Sequence, residues 1–205
     1  MPESPHVVAF LFTQDLRGDL RFLPKLARVL MHLRRDDRRT LTVDLGGMCT
    51  PDVWHCAATE GRSMLIALDG LNYAAVNAEG LSESVRPYLT KSLIYMQAID
   101  AAHAGTMDQV RFVTRLSPDD LPPQYLTLVV APHAEAKVTA TVIEFPAIAR
   151  YKVGRMRVRM NTPVELVSLE TFDVPDDTAP DATISGMVDF IESEARQYQK
   201  RQDQK

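Results

Sequence analysis

Two carboxylates and an arginine follow the first two predicted strands of this 205-residue chain, at the points where the strands end. Asp15 and Arg17 come after an apolar segment that begins at His6, and Asp44 closes the next apolar segment. Ligands of open α/β sheets bind where parallel strands end, so we expect these three side chains to lie close together. Arg17 could bind an anion or a nucleotide there, or it could form a structural ion pair with Asp15 or Asp44. The sequence leaves both possibilities open.

Alternating strands and helices are predicted to position these residues. Apolar residues recur at the spacing i, i+3, i+4 and i+7 in two segments, which predicts helices that include residues 23–33 and 64–71. Short apolar segments at 7–12, 41–44 and 74–76 are typical of parallel strands that are covered on both faces. The first half is therefore predicted to be a parallel βαβαβ unit, and the chain to be an α/β protein.

The second half is predicted to be rich in strands. Residues 137–143, 155–160 and 164–172 alternate apolar and polar side chains, as half-buried strands do. Other segments are predicted to be a helix over 85–103 that is interrupted near Pro87, a loop over 117–123, and a final helix over 183–199. We expect a single domain over residues 1–199 and a fraying polar tail over 200–205.

Cys49, His55 and Cys56 lie in one predicted loop, residues 48–59. Two thiolates and an imidazole can bind zinc, but the seven-residue spacing of the cysteines matches no common zinc knuckle and no fourth ligand is evident. The alternative is a pair of reduced cysteines beneath a loop that Trp54 anchors. Two cysteines do not make a disulfide framework.

The charge pattern bears on the class of partner. Arg155, Arg157 and Arg159 share one face of a predicted strand, which could track phosphates but is more typical of a solvated face or a protected sheet edge. The cluster from Arg34 to Arg39 has the character of a solvated helix end. The net charge of −4 gives no reason to expect nucleic acid, and no apolar run is long enough to span a membrane. With no signal peptide in evidence, a cytoplasmic location is expected.

Three motifs resemble the 5'-nucleotidase branch of the calcineurin-like metallophosphoesterases. Residues 13–18, Thr-Gln-Asp-Leu-Arg-Gly, resemble the family's Thr-Asn-Asp-Leu-His-Gly. Residues 44–47, Asp-Leu-Gly-Gly, resemble its Asp-Ala-Gly-Asp, and the segment from Glu60 to Val76 resembles the helix and strand that lead to its Gly-Asn-His-Glu. The resemblance covers about residues 6–90, more loosely 145–199, and implies part of an αββα sandwich.

The same resemblance implies that the family's two-metal centre is lost. Arg17 stands in the position of a histidine ligand, and a guanidinium has no free lone pair for a cation. Gly47 stands in the position of the bridging aspartate. The asparagine ligand and catalytic histidine fall on Gly80 and Leu81, or on Asn77 and Ala78 if three residues are deleted. The family's later histidines follow a helix that matches the last one of this chain.

The resemblance thus implies a protein without catalytic residues, metal or cofactor, which acts in binding or assembly. It predicts a vestigial pocket, open to a small anionic ligand, formed by Asp15, Arg17, Asp44, Gly47 and Asn77. The alternative is a phosphate-ester hydrolase or nucleotide-binding protein with a remodelled site around Asp15 and Asp44. We further expect a homodimer or a partner protein at the C-terminal half, because the apolar faces of 138–143, 156–160 and 164–169 need to be covered.

Overall fold

A computed structural model describes residues 7–37, 39–82, 85, 95–117, 124–160 and 163–204. Eleven strands lie in this part of the chain: β1 Val7–Thr13, β2 Thr40–Asp44, β3 Ala75–Asn77, β4 Gln97–Ile99, β5 Gly105–Met107, β6 Val110–Val113, β7 Leu126–His133, β8 Lys137–Val138, β9 Val142–Pro146, β10 Lys152–Arg159 and β11 Glu165–Asp173. The helices described are α1 Leu23–Asp36, α2 Trp54–Thr59, α3 Arg62–Gly70 and α4 Ala182–Gln202.

The described strands form two mixed sheets. The larger has the order β11-β10-β1-β2-β3-β4, in which β1 to β4 are parallel and β10 and β11 are antiparallel additions beside β1. The smaller has the order β5-β6-β7-β9-β8. The predictions of an α/β class, of the βαβαβ unit and of a β-rich second half are confirmed.

Alternating side chains of β1 show how the layers pack. Phe10 and Phe12 point toward the smaller sheet, where both rings contact the ring of Phe145. Leu11 points the other way, into the core beneath the helices. Because successive side chains of a strand face opposite sides, one strand contributes to both cores. The result is a layer of helices, the six-stranded sheet and the five-stranded sheet.

Several predicted elements differ from the structure. The predicted loop 48–59 contains α2. Within the predicted helix 85–103, Gln97–Ile99 is the parallel strand β4, and residues 86–94 lie outside the described part. The predicted strand 137–143 consists of β8 and the start of β9, which are antiparallel to each other. The backbone turns between them, where the hydroxyl of Thr139 accepts a hydrogen bond from the N–H of Val142. Of the predicted loop 117–123, residues 118–123 also lie outside the described part.

The C-terminal segment forms the longest described helix. Asp181 caps α4 by accepting hydrogen bonds from the backbone N–H groups of Thr183 and Ile184, and the helix continues to Gln202. Lys200 and Arg201 lie in its last turn, where the helix dipole favours positive charge.

Most of the C-terminal sheet surface is covered by this chain itself. Ile143, Met156 and Val158 are fully buried between the two sheets, so the expectation that residues 138–143 and 156–160 present an uncovered apolar face is wrong. The edge strand β11 is different, because its apolar side chains Leu166, Val167 and Leu169 remain exposed.

Candidate functional site

The turns after β1 and β2 pair with each other through backbone hydrogen bonds. The N–H groups of Asp15, Arg17 and Gly18 donate to the carbonyl oxygens of Gly46, Gly47 and Met48 over 2.8, 2.8 and 2.7 Å. Both Asp15 and Arg17 have positive φ, 59° and 51°, a conformation that costs energy for residues with a side chain. This pairing brings Asp15, Arg17 and Gly47 together at the carboxyl ends of the strands.

Arg17 forms an ion pair with Asp15. Its Nε donates to Oδ1 of Asp15 over 2.8 Å, and this hydrogen bond raises the pKa of the guanidinium. The side chains are 54% and 32% exposed, so the pair lies at the surface. The sequence left open a structural ion pair of Arg17 with Asp15 or with Asp44. The structure contains the ion pair with Asp15.

Asp44 belongs to a buried hydrogen-bond chain. Its Oδ2 accepts from the hydroxyl of Thr13 over 2.7 Å, and its Oδ1 accepts from the N–H of Gly46 over 3.0 Å. The hydroxyl of Tyr73 lies 3.0 Å from that of Thr13, and it must be the donor whenever Thr13 gives its single proton to Asp44. Asp44 is fully buried, and burial raises its pKa to about 7 against the opposing effect of these hydrogen bonds. Burial also raises the pKa of Tyr73.

Gly47 and Asn77 are the remaining residues of the predicted vestigial pocket. Gly47 has no side chain that could bind a metal, and the side chain of Asn77 is held by hydrogen bonds to the backbone. A Cβ added to Gly47 would lie 3.0 Å from Oδ1 and 3.1 Å from Cα of Asp15, and the residue has a φ of 73°. An aspartate at this position would therefore crowd Asp15 and hold a strained backbone conformation. The side-chain amide of Asn77 donates to the carbonyl of Leu45 over 3.2 Å and accepts from the N–H of Glu79 over 3.0 Å.

The residues present do not fit the two-metal centre of the metallophosphoesterases. Such a centre needs carboxylate and imidazole ligands around two cations about 3.5–4 Å apart. Here Asp15 is held by a cation of the protein, Asp44 is enclosed by its own donors, and Asn77 is committed to the backbone. Within the described ranges, no group of three or more His, Cys, Asp and Glu side chains could hold a metal ion.

The cysteines form a disulfide, which corrects both readings of the sequence. Cys49 and Cys56 are bonded to each other, so they are neither reduced nor available as zinc ligands. The pairing was missed because one isolated pair carries no framework signal, and α2 brings Cys56 back toward Cys49. Disulfides persist mainly in oxidising compartments, which weighs against a cytoplasmic location.

His55, and not Trp54, anchors this loop. Its Nε2 donates to the carbonyl of Gly18 over 2.8 Å, and its Nδ1 therefore accepts from the hydroxyl of Ser63 over 2.8 Å. Burial lowers the pKa of His55, which keeps the ring neutral. Trp54 is 38% exposed. Together with the disulfide, His55 fixes the turn that carries Arg17.

The arginines of β10 are ion-paired and not a solvated stripe. Arg155 is only 7% exposed and contacts Asp36 at 3.2 Å and Glu170 at 2.9 Å, while Arg157 contacts Asp37 at 2.9 Å. Asp36 and Asp37 lie at the end of α1, and Glu170 lies on β11. The sequence analysis did not predict that these two elements supply partners for the arginines of β10. Arg34 is likewise committed, since it donates to the hydroxyl of Thr42 and the carbonyl of Leu71.

A pocket beside the vestigial site was not anticipated from the sequence. It has a volume of about 280 Å³ and lies between the loops that follow β2 and β3. Its lining residues are Gly47, Met48, Cys49, Thr50, Pro51, Cys56, Ala57, Glu60, Gly61, Asn77, Glu79, Gly80, Leu81 and Ser82. Most of these lining residues lie in loops that carry no sequence motif. The cavity forms only where the loop after β2 and the loop after β3 come together in the fold.

Comparison with known proteins identifies the fold. No protein-family model matches the sequence, and no curated protein matches it significantly. Among solved structures, the calcineurin-like phosphoesterase YfkN from Bacillus subtilis superposes with a TM-score of 0.60 at 9% identity, over 96% of this chain and 100% of that one. The NAD nucleotidase NadN from Haemophilus influenzae gives a TM-score of 0.59 at 8% identity, over 95% of this chain and 61% of that one.

No helix in the described part of the chain is long and apolar enough to cross a membrane.

At these identities the likeness to YfkN and NadN establishes the architecture alone. The layered arrangement of helices and two mixed sheets is therefore the architecture that this chain shares with the solved structures of YfkN and NadN.

Proposed function

We propose that this chain is a degenerate relative of the 5'-nucleotidase branch that has lost its two-metal centre and acts in binding or assembly. The observation that carries the proposal is the ion pair of Arg17 with Asp15 beside Gly47. The Arg17 side chain carries a positive charge to within 2.8 Å of the carboxylate that would ligate a cation. A metal ion at Asp15 would be repelled by this charge or would have to displace it.

The surroundings of Asp44 support the same proposal. A carboxylate in a two-metal centre must be ionised and must direct an oxygen at the cation. Both oxygens of Asp44 instead accept hydrogen bonds from Thr13 and Gly46, and with a pKa of about 7 the carboxyl is partly protonated at neutral pH.

The test is an assay of p-nitrophenyl phosphate and AMP hydrolysis with added manganese or zinc. The control is the variant Asp15→Asn/Asp44→Asn, which removes both carboxylates while preserving their shapes. We expect the wild-type protein to give no more product than this variant. Metal-dependent turnover that the variant lacks would contradict the proposal.

The second candidate is a remodelled anion or nucleotide site at Arg17. It is favoured by the 54% exposure of this side chain, whose hydrogen bond to Asp15 uses Nε and leaves its terminal nitrogens at the surface. Titration of inorganic phosphate and AMP into wild type and Arg17→Gln tests it. Saturable binding that the variant loses would favour this candidate over a purely structural ion pair.

Assembly through β11 is the form of partnership that we propose. This edge strand is nine residues long and exposes Leu166, Val167 and Leu169. An exposed apolar edge strand is a template for pairing with another chain. Light scattering should therefore give a mass above that of the monomer, and Leu169→Lys should lower it. A monodisperse wild-type monomer at micromolar concentration would contradict this proposal.

A further inference from the structure

The helices α3 and α4 share an apolar patch at the protein surface. Phe190 of α4 is 64% exposed and Ile66 of α3 is 39% exposed. The first residue of α3 lies beside the ring of Tyr198, and its last residue, Gly70, lies against Met187, so the two helices run antiparallel. Ile66 is on the same face of α3 as Gly70, one turn earlier, and therefore lies beside the stretch of α4 that carries Phe190. The patch is thus on the outer side of the helix layer and open to a partner.

The exposed charges of α4 are divided along the helix. On its outer side two acidic residues precede two basic ones, and all are exposed: Asp189, Glu194, Lys200 and Arg201. Between these groups, Arg196 pairs with Glu192 of the same helix at 3.2 Å. A second α4 that lies antiparallel to the first would place acid opposite base at both ends, whereas a parallel one would place like charges together. The outer side of α4 is therefore complementary in charge to an antiparallel copy of itself.

We propose that this side of α4 binds a second copy of the chain, with the two α4 helices antiparallel about a two-fold axis. The register that satisfies the charges places Asp189 opposite Arg201 of the second copy. Phe190 then lies opposite Lys200 of the second copy, and ammonium groups pack favourably against aromatic rings. Each contact occurs twice, because a two-fold pair uses the same surface on both copies. This contact extends the proposed assembly to a second surface, separate from the edge strand β11, and does not need pairing there.

An exchange of charges tests the pairing in the Leu169→Lys background, in which β11 is blocked and any dimer reports on α4. This protein should sediment as a dimer in reversible equilibrium with monomer at about 10–200 µM, since exposed charge pairs contribute weakly. Asp189→Lys/Glu194→Lys gives an α4 with basic charges at both ends, and Lys200→Glu/Arg201→Glu gives one with acidic charges at both ends. Each variant alone should associate at least about tenfold more weakly, and an equimolar mixture of the two should form a heterodimer.

Matched controls change exposed residues elsewhere in the chain. Glu79→Lys/Glu135→Lys reverses two exposed carboxylates outside α4 and should leave the dimer intact. Phe190→Ser should weaken the dimer at least about fivefold, because the ring no longer becomes buried on association. Leu116→Ser removes an exposed apolar side chain that follows β6 and should have no such effect.

Three results would overturn the proposal: a Leu169→Lys protein that is monomeric throughout this range, charge-reversed variants that dimerise as well as their parent, or a mixture that stays monomeric. A wild-type mass that Leu169→Lys does not lower would instead contradict the β11 contact alone. Metal-dependent turnover would contradict the loss of the metal centre alone.

Discussion

The Nε atom of Arg17 lies 2.8 Å from Oδ1 of Asp15, and both residues have positive φ in a turn that is paired with Gly46 and Gly47. The guanidinium thus neutralises the first carboxylate of the vestigial site at the protein surface. Because both side chains are exposed to solvent, disruption of this ion pair should cost little stability.

Arg17→Ala should leave the melting temperature nearly unchanged, because solvent already screens the exposed pair. Arg17→Gly should melt higher than Arg17→Ala, since glycine adopts a φ of 51° without strain. Thermal denaturation of the two variants measures the difference. A large drop in both would indicate that Arg17 holds the turn together through contacts beyond its ion pair.

Asp44→Asn should remove a pH dependence of stability. The folded-state pKa of Asp44, about 7, is above its ordinary value of 3.8, so the folded protein favours the neutral carboxyl. Its contribution is fully present below pH 3.8 and is lost as the pH rises through 7, by about 4 kcal/mol in total.

Urea denaturation at pH 5, 6, 7 and 8 checks this sign. Wild type should lose stability with rising pH more steeply than Asp44→Asn, while the control Glu194→Gln, which removes an exposed carboxylate on α4, should keep the wild-type slope. Parallel slopes for wild type and Asp44→Asn would show that Asp44 is ionised in the folded protein at all these pH values.

The Cys49–Cys56 disulfide should stabilise the folded chain. It closes a loop with a sequence separation of seven residues, for which loop-closure entropy gives about 2–3 kcal/mol. Cys49→Ala/Cys56→Ala should lose about this amount in urea denaturation. Wild type that is reduced with a dithiol should match the variant, and a variant as stable as the oxidised wild type would argue against the bond.

Arg155 and Arg159 provide a comparison of the same side chain on the same strand. Arg155 is 7% exposed among carboxylates of α1 and β11, whereas Arg159 is 39% exposed beside Glu165. Arg155→Ala should cost about 2 kcal/mol of unfolding free energy because it removes a nearly buried guanidinium and its hydrogen bonds to Asp36 and Glu170, and Arg159→Ala less than about 1 kcal/mol. Equal losses in urea denaturation would place Arg155 in the solvated stripe that the sequence predicted.

The sequence predicts the first half of the fold well for a physical reason. The strands β1 to β3 and the helices α1 and α3 carry a local signal, since parallel strands are apolar throughout and these helices have one apolar face, whereas the six-residue helix α2 is too short to show one. The three-residue strands β4 and β5 carry almost none, because their pairing with β3 and β6 supplies the stability that their composition does not.

The candidate site likewise contains some contacts that have a local sequence signal and others that have none. Asp15, Arg17 and Gly47 lie together because the ends of adjacent parallel strands determine their positions. Local sequence gave no sign that Thr13 and Tyr73 would enclose Asp44, because that chain joins residues 31 and 60 positions apart. The ion pair between Arg155 and Asp36 could not be predicted for the same reason, because the two residues lie 119 positions apart in the sequence.

Anomalous diffraction from crystals grown with manganese tests the central claim most directly. The account predicts no anomalous peak within bonding distance of Asp15, Asp44 or Asn77, with Arg17 still paired to Asp15. Two peaks about 3.5–4 Å apart between these side chains, with Arg17 displaced from Asp15, would show that a two-metal centre forms and would contradict the account.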